Sequence, residues 1–130
     1  MGRKKSISGI TIELGGNTTK LDKALENVDG KARNTQGELK EIQRLLKFDP
    51  KNTELLAQKQ TLLTDAVSET KEKLDVLKTA ESQVQEQFRK GEATEEQYRA
   101  VQREIIASEN ALKSLEKQAK ENNSTLAKIG

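Results

Sequence analysis

The chain has 130 residues, 34% of them charged and 32% apolar, with a net charge of +2. The aromatic residues are Phe48, Phe88 and Tyr98; there is one proline, and there is neither cysteine nor histidine. That composition cannot fill a compact spherical core, but it can fill a seam between helices, which needs only about two or three positions in seven. It also excludes disulfides, thiol nucleophiles, Cys/His zinc sites and every histidine-based triad.

Opposite charges are interleaved: 10 basic and 7 acidic side chains in residues 1–50, 7 and 7 in 51–90, 6 and 7 in 91–130. The one cluster is Arg3, Lys4 and Lys5, and electrostatic binding to nucleic acid or a membrane surface needs a larger basic face. No apolar run approaches the ~20 residues that span a bilayer. The N-terminus lacks the apolar core of a signal peptide. Neither a membrane nor a specific nucleic acid is therefore expected as a partner of this segment.

Residues 1–16 read as a polar tail and a short strand. Ile10, Ile12 and Leu14 alternate with Thr11 and Glu13, the period of a strand with one apolar face, and Gly15-Gly16 ends it. A lone strand cannot stand in water. It must fold back on the helices, pair with another copy, or wait for a partner.

Residues 17–130 read as helical. Asn17, Thr18 and Thr19 offer N-caps for a first helix over about 18–47. Its apolar stripe is Leu21, Leu25, Val28, Ala32, Thr35, Leu39, Ile42 and Leu46, a heptad repeat. Gly30 and Gly37 lie opposite the stripe and weaken the helix by about 1 kcal/mol each relative to Ala. Asp49-Pro50 reads as N-cap and N1 of a second helix over about 51–90. Its stripe is Leu56, Gln60, Leu63, Val67, Thr70, Leu74, Leu77, Glu81, Val84 and Phe88, widened by Leu55, Leu62 and Ala66. Lys90-Gly91 is a helix stop. Thr94-Glu95-Glu96-Gln97 matches a capping box and opens a third helix over about 95–128. Its stripe is Tyr98, Val101, Ile105, Ser108, Leu112, Leu115, Ala119, Asn122, Leu126 and Ile129.

The connections are too short for anything but antiparallel neighbours. Folding at 91–93 pairs Phe88 with Tyr98 and Val84 with Val101. Folding at 48–50 lays Leu39 near Gln60 and Val28 near Thr70, so the first helix reaches only to about Leu77. The expected fold is all-α: a long antiparallel helical hairpin or coiled coil with a shorter first helix. That makes a three-helix bundle at one end, a bare two-helix hairpin carrying Phe88 and Tyr98 at the other, and a short N-terminal β-strand.

No catalytic constellation emerges. A general acid or base needs a pocket that shifts its pKa, and a thin bundle offers little burial. No phosphate-binding glycine motif is present. The chain is not expected to be an enzyme, and no cofactor or metal is expected. The residues singled out are those that interrupt the seam: Gln60, Thr70, Glu81, Ser108 and Asn122. Such positions either set partner, register and oligomer state, or are polar layers that a long chain tolerates. The apolar face of Ile10, Ile12 and Leu14, with Leu55 and Ile106, lacks obvious cover. That predicts a homo-oligomer, with the strand as a joining element.

Three segments carry a resemblance. The opening ISGITIELGGNTTKLDKAL (7–25), LKFDPKNTELLAQKQ (46–60) and FRKGEATEEQY (88–98) resemble the N-terminal region of tail tape measure proteins of long-tailed bacteriophages. The resemblance implies a largely helical structural protein of the tail lumen that sets tail length during assembly and leaves the tube when DNA is ejected. It implies tail tube subunits, tail tip proteins and tail assembly chaperones as partners. It implies the host cytoplasm during assembly, then the virion tail, as location. The family's members are far longer than 130 residues, so the chain is expected to be an N-terminal portion of a longer protein. The alternative from the residues alone is an intracellular coiled-coil adaptor or scaffold that joins other proteins.

Overall fold

The computed structural model describes residues 7–129; the basic cluster Arg3, Lys4 and Lys5 and the terminal Gly130 lie outside the described residues. The order of elements is β1 (Thr11–Leu14), β2 (Asn17–Lys20), α1 (Leu21–Phe48), α2 (Thr53–Arg89) and α3 (Glu95–Ile129). The protein is mostly helical, with a short two-stranded hairpin at its N-terminal end. It divides into two compact units. One comprises the described residues up to Asp29 with Glu72–Glu109, and the other Gly30–Lys71 with Asn110 onward. Each helix contributes a segment to both.

In the first unit the strand finds its partner within the chain. β1 pairs antiparallel with β2, with Leu14 opposite Asn17 and Thr11 opposite Lys20. The two residues between them, Gly15 and Gly16, have φ of +56° and +83°. Positive φ at both central positions is what a type I′ turn requires, and its twist matches that of the flanking strands. Asn17, Thr18 and Thr19, expected as helix caps, are therefore strand residues, and α1 begins at Leu21. The signal was present, since Gly-Gly between two short β-prone runs is a hairpin signature. Short polar residues fit an N-cap as well as an edge strand, and the cap reading took them.

The hairpin also corrects the expectation of a bare two-helix end. Ile7, Ile10 and Ile12 are buried, as are Leu21 and Leu25 that follow and Val84 and Val101 of α2 and α3. Hydrogen bonds between the side chains of Gln83, Gln87 and Gln97 and the backbone of residues 8–13 hold the hairpin beside this part of α2 and α3. Phe88 and Tyr98 stack across the α2–α3 connection, with ring centroids 5.9 Å apart and planes 16° from parallel.

That connection is closed at both ends. Glu92 N–H donates to Gln87 C=O at 2.7 Å and Gly91 N–H to Phe88 C=O at 3.0 Å. This is the paired pattern of a Schellman stop, with Gly91 at φ +77°. Thr94 and Gln97 then cap each other: Gln97 N–H donates to Thr94 Oγ1 at 3.0 Å, and Thr94 N–H to Gln97 Oε1 at 2.9 Å.

The α1–α2 connection differs from expectation. Asp49-Pro50-Lys51-Asn52 forms a turn in which Asn52 N–H donates to Asp49 C=O at 3.2 Å, with Asp and Pro at its first two positions. The cap is Asn52, whose Oδ1 accepts from Leu55 N–H at 3.0 Å. Pro50 thus belongs to the turn and not to N1. The connection is longer than expected, and Leu39 lies in a buried cluster with Leu63 and Ala66 of α2.

In the second unit Leu39, Leu63, Ala66 and Leu115, one or two residues from each helix, form a buried cluster flanked by Leu62, Val67 and Ala119. The widened stripe of α2 is thus used where α1 and α3 both contribute. α1 runs unbroken through Gly30 and Gly37. Ile106 is 57% exposed and Phe48 82% exposed, while Leu55 is half-buried.

Two glycine substitutions should have opposite signs. Nothing lies within 4 Å of a Cβ built on Gly37, which is helical and exposed, so Gly37→Ala should stabilise by up to about 1 kcal/mol. Gly91 has equal space but positive φ, so Gly91→Ala should destabilise by about 1–2 kcal/mol. Urea denaturation followed by circular dichroism checks both.

Candidate functional site

The side chains able to carry specificity are polar groups set among the helices. Asn122 on α3 is 5% exposed. Its Nδ2 donates to the Leu56 carbonyl at 2.9 Å and to Gln60 Oε1 at 3.0 Å, both on α2. Two of the seam interruptions singled out in the sequence therefore meet. They lie beside a cleft of about 280 Å³ bordered by Leu46, Pro50, Leu56, Lys59, Gln118, Glu121 and Thr125.

The other singled-out positions behave differently. Thr70 Oγ1 donates to the Ala66 carbonyl of its own helix at 2.8 Å, so it satisfies itself and links nothing. Ser108 is buried at 6% exposure. Glu81 is only half-buried, and the fully buried position beside it is Ala80. From Leu77 the seam steps three residues to Ala80 and four to Val84, and a methyl group enters without the desolvation that a carboxylate would suffer. Of the candidate joining strand, Ile10 and Ile12 are buried and Leu14 is half-buried.

Three further polar contacts join the helices. Thr35, the polar entry in the α1 stripe, is 7% exposed; its Oγ1 donates to Glu69 Oε2 of α2 at 2.9 Å and to the Lys31 carbonyl at 3.2 Å. In the first unit Lys73 of α2 lies 2.9 Å from Asp29 of α1 and 3.8 Å from Glu104 of α3. Glu104 is 6% exposed, so a carboxylate sits in the seam where the heptad reading placed only Val101, Ile105 and Ser108. A charged residue next to a seam position reads as solvent-facing in one helix alone, and only the neighbouring helices reveal its ammonium partner.

On the exposed face, ion pairs run along single helices. Arg89 hydrogen-bonds Glu86 and holds that carboxyl below the usual carboxylate range, and Glu41 raises Arg44 in the same way. A depressed carboxyl pKa adds stability above the ordinary value, about 4.3, that is lost as pH falls through the folded value. These pairs are open to water and support their helices only slightly. Among the described residues no cluster of acidic side chains could hold a metal ion, and no helix is long and apolar enough to cross a membrane.

No protein-family model matches the chain, and no solved structure matches it. Over a stretch of 73 residues it is 36% identical to a probable tape measure protein of Lactococcus phage SK1. That stretch is 56% of this chain and 7% of the phage protein.

The Asn122–Gln60 pair reverses an expectation. A lone buried Asn predicts that Asn122→Leu stabilises, but here the change strands Gln60 Oε1. Asn122→Leu and Gln60→Leu should each destabilise by about 1–3 kcal/mol, while the double variant returns close to the wild-type value. A double-mutant cycle from urea denaturation measures the coupling.

Proposed function

We propose that the chain is a structural segment of a bacteriophage tail tape measure protein. The single observation that carries this reading is its similarity to the probable tape measure protein of Lactococcus phage SK1 over 73 residues. The form of the chain agrees with it: three helices of 28, 37 and 35 residues, rich in charge and poor in aromatic residues. A helix advances a fixed ~1.5 Å per residue, so length in sequence becomes length in space.

In this reading the helices pack as an antiparallel coiled coil. The Phe88–Tyr98 stack and the contact of Asn122 with Leu56 and Gln60 support that packing. The partners are tail tube subunits, tip proteins, assembly chaperones and further copies of the chain. The protein assembles in the host cytoplasm, occupies the tail lumen, and leaves with the DNA. It has no enzymatic role: its polar contacts join helix to helix.

In-frame deletion of whole heptads from the long helical region of the complete gene should shorten the tail by about 10 Å per heptad. Whole heptads are needed because a broken register would turn the seam outward. If this segment docks one end of the ruler, deletions between 51 and 120 should instead abort tail assembly. Electron micrographs of the resulting virions decide the matter. Normal tails of unchanged length in both experiments would remove the proposal.

A further inference from the structure

The hairpin has two backbone edges, and one of them is occupied by side chains. In a hairpin with a two-residue turn, the pair next to the turn, Leu14 and Asn17, faces inward and exchanges hydrogen bonds. Alternation then turns the N–H and C=O of Glu13 and Thr11 outward, along the free edge of β1. Three of those four groups are met by glutamines of α2. Glu13 N–H donates to Gln83 Oε1 at 2.7 Å, and Gln83 Nε2 donates back to the Glu13 carbonyl at 2.9 Å. Gln87 Nε2 donates to the Thr11 carbonyl at 2.9 Å.

The spacing explains why helix side chains can do this. Residues four apart on a helix are separated by about 6 Å, and residues two apart on a strand by about 6.8 Å. A side-chain amide has the donor and acceptor of a peptide group. Gln83 with Gln87 therefore reproduces, from a helix, three of the four hydrogen bonds that a third strand would make to Glu13 and Thr11. Gln97 extends the row by donating to the Ser8 carbonyl at 3.2 Å.

We propose that Gln83 and Gln87 serve as a surrogate strand that keeps the β1 edge from pairing with β1 of a second copy of this chain. The proposal is independent of the tail assignment. The edge needs such cover because it complements itself. Antiparallel pairing of two β1 strands about Ile12 sets Thr11 opposite Glu13 of the other copy. All outward N–H and C=O groups of both residues are then used, and no carboxylate faces another. A groove of about 310 Å³ lined by Thr11, Ile12, Glu13, Thr18, Gln83 and Gln87 runs along the junction and opens to solvent. An uncovered edge of this kind is a template for association.

The test uses the 130-residue chain and sedimentation at matched concentration. Gln83→Ala/Gln87→Ala keeps good helix formers in α2 and should at least double the average mass relative to wild type. Adding Glu13→Pro removes an outward N–H without touching the β1–β2 hydrogen bonds, and should restore the wild-type mass. An unchanged mass in the double variant overturns the proposal. So does a rise that survives Glu13→Pro, because the copies then meet elsewhere. Amide exchange, followed at a concentration low enough that sedimentation gives the variant the wild-type mass, is a second reading: Gln83→Ala should speed exchange at Glu13 by about tenfold. Unaltered exchange there would mean that Gln83 covers nothing, and that also overturns the proposal.

Discussion

The apolar residues at the N-terminal end of the first unit have to be kept from water. α2 and α3 carry buried positions as far as Val84 and Val101, beside the connection that joins them. α1 begins at Leu21, and the chain before it supplies Ile7, Ile10 and Ile12. Three isoleucines in an eight-residue amphipathic stretch bury enough surface, about 2–3 kcal/mol each, to offset part of the cost of ordering that segment. The hairpin is the way this stretch can turn one face inward and still satisfy its backbone. β2 takes one edge of β1, and glutamines take the other.

Several buried or half-buried polar groups reach from one helix to another. Asn122 reaches both the Leu56 carbonyl and Gln60. Thr35 reaches Glu69, and Lys73 lies between Asp29 and Glu104. These contacts are directional where Leu–Leu contacts are not. A heptad slip would leave the apolar stripes matched and the polar groups stranded, which costs more than the lost hydrogen bond alone. Such contacts select one register among several that the hydrophobic pattern permits.

Local chemistry was legible where a feature is settled within a few residues. The Gly91 stop and the Thr94–Gln97 box are readable because their hydrogen bonds close over three to five positions. The helix ends observed at Phe48, Arg89 and Ile129 lie within one residue of those expected. Asp49-Pro50 was misassigned because the same dipeptide starts both a turn and a helix. The two residues after it, Lys51 and Asn52, decide between the two. Asn17–Thr19 are ambiguous for a similar reason, since short polar residues suit a cap and an edge strand alike.

The sequence by itself determined that the protein is helical, where its helices stop, and which stripe of each is apolar, because these depend on period and on caps. Only the tertiary structure decided that β1 is covered by Gln83 and Gln87, that Asn122 meets Gln60, and that Glu104 is buried near Lys73. Each of these joins residues at least 31 positions apart, and an amide or a carboxylate looks alike in sequence whether it faces water or a partner. The seam assignment of Glu81 failed in the same way. Steps of three and four are interchangeable along one helix, and the neighbouring helices select the phase in which Ala80 goes inward and the charge stays at the edge.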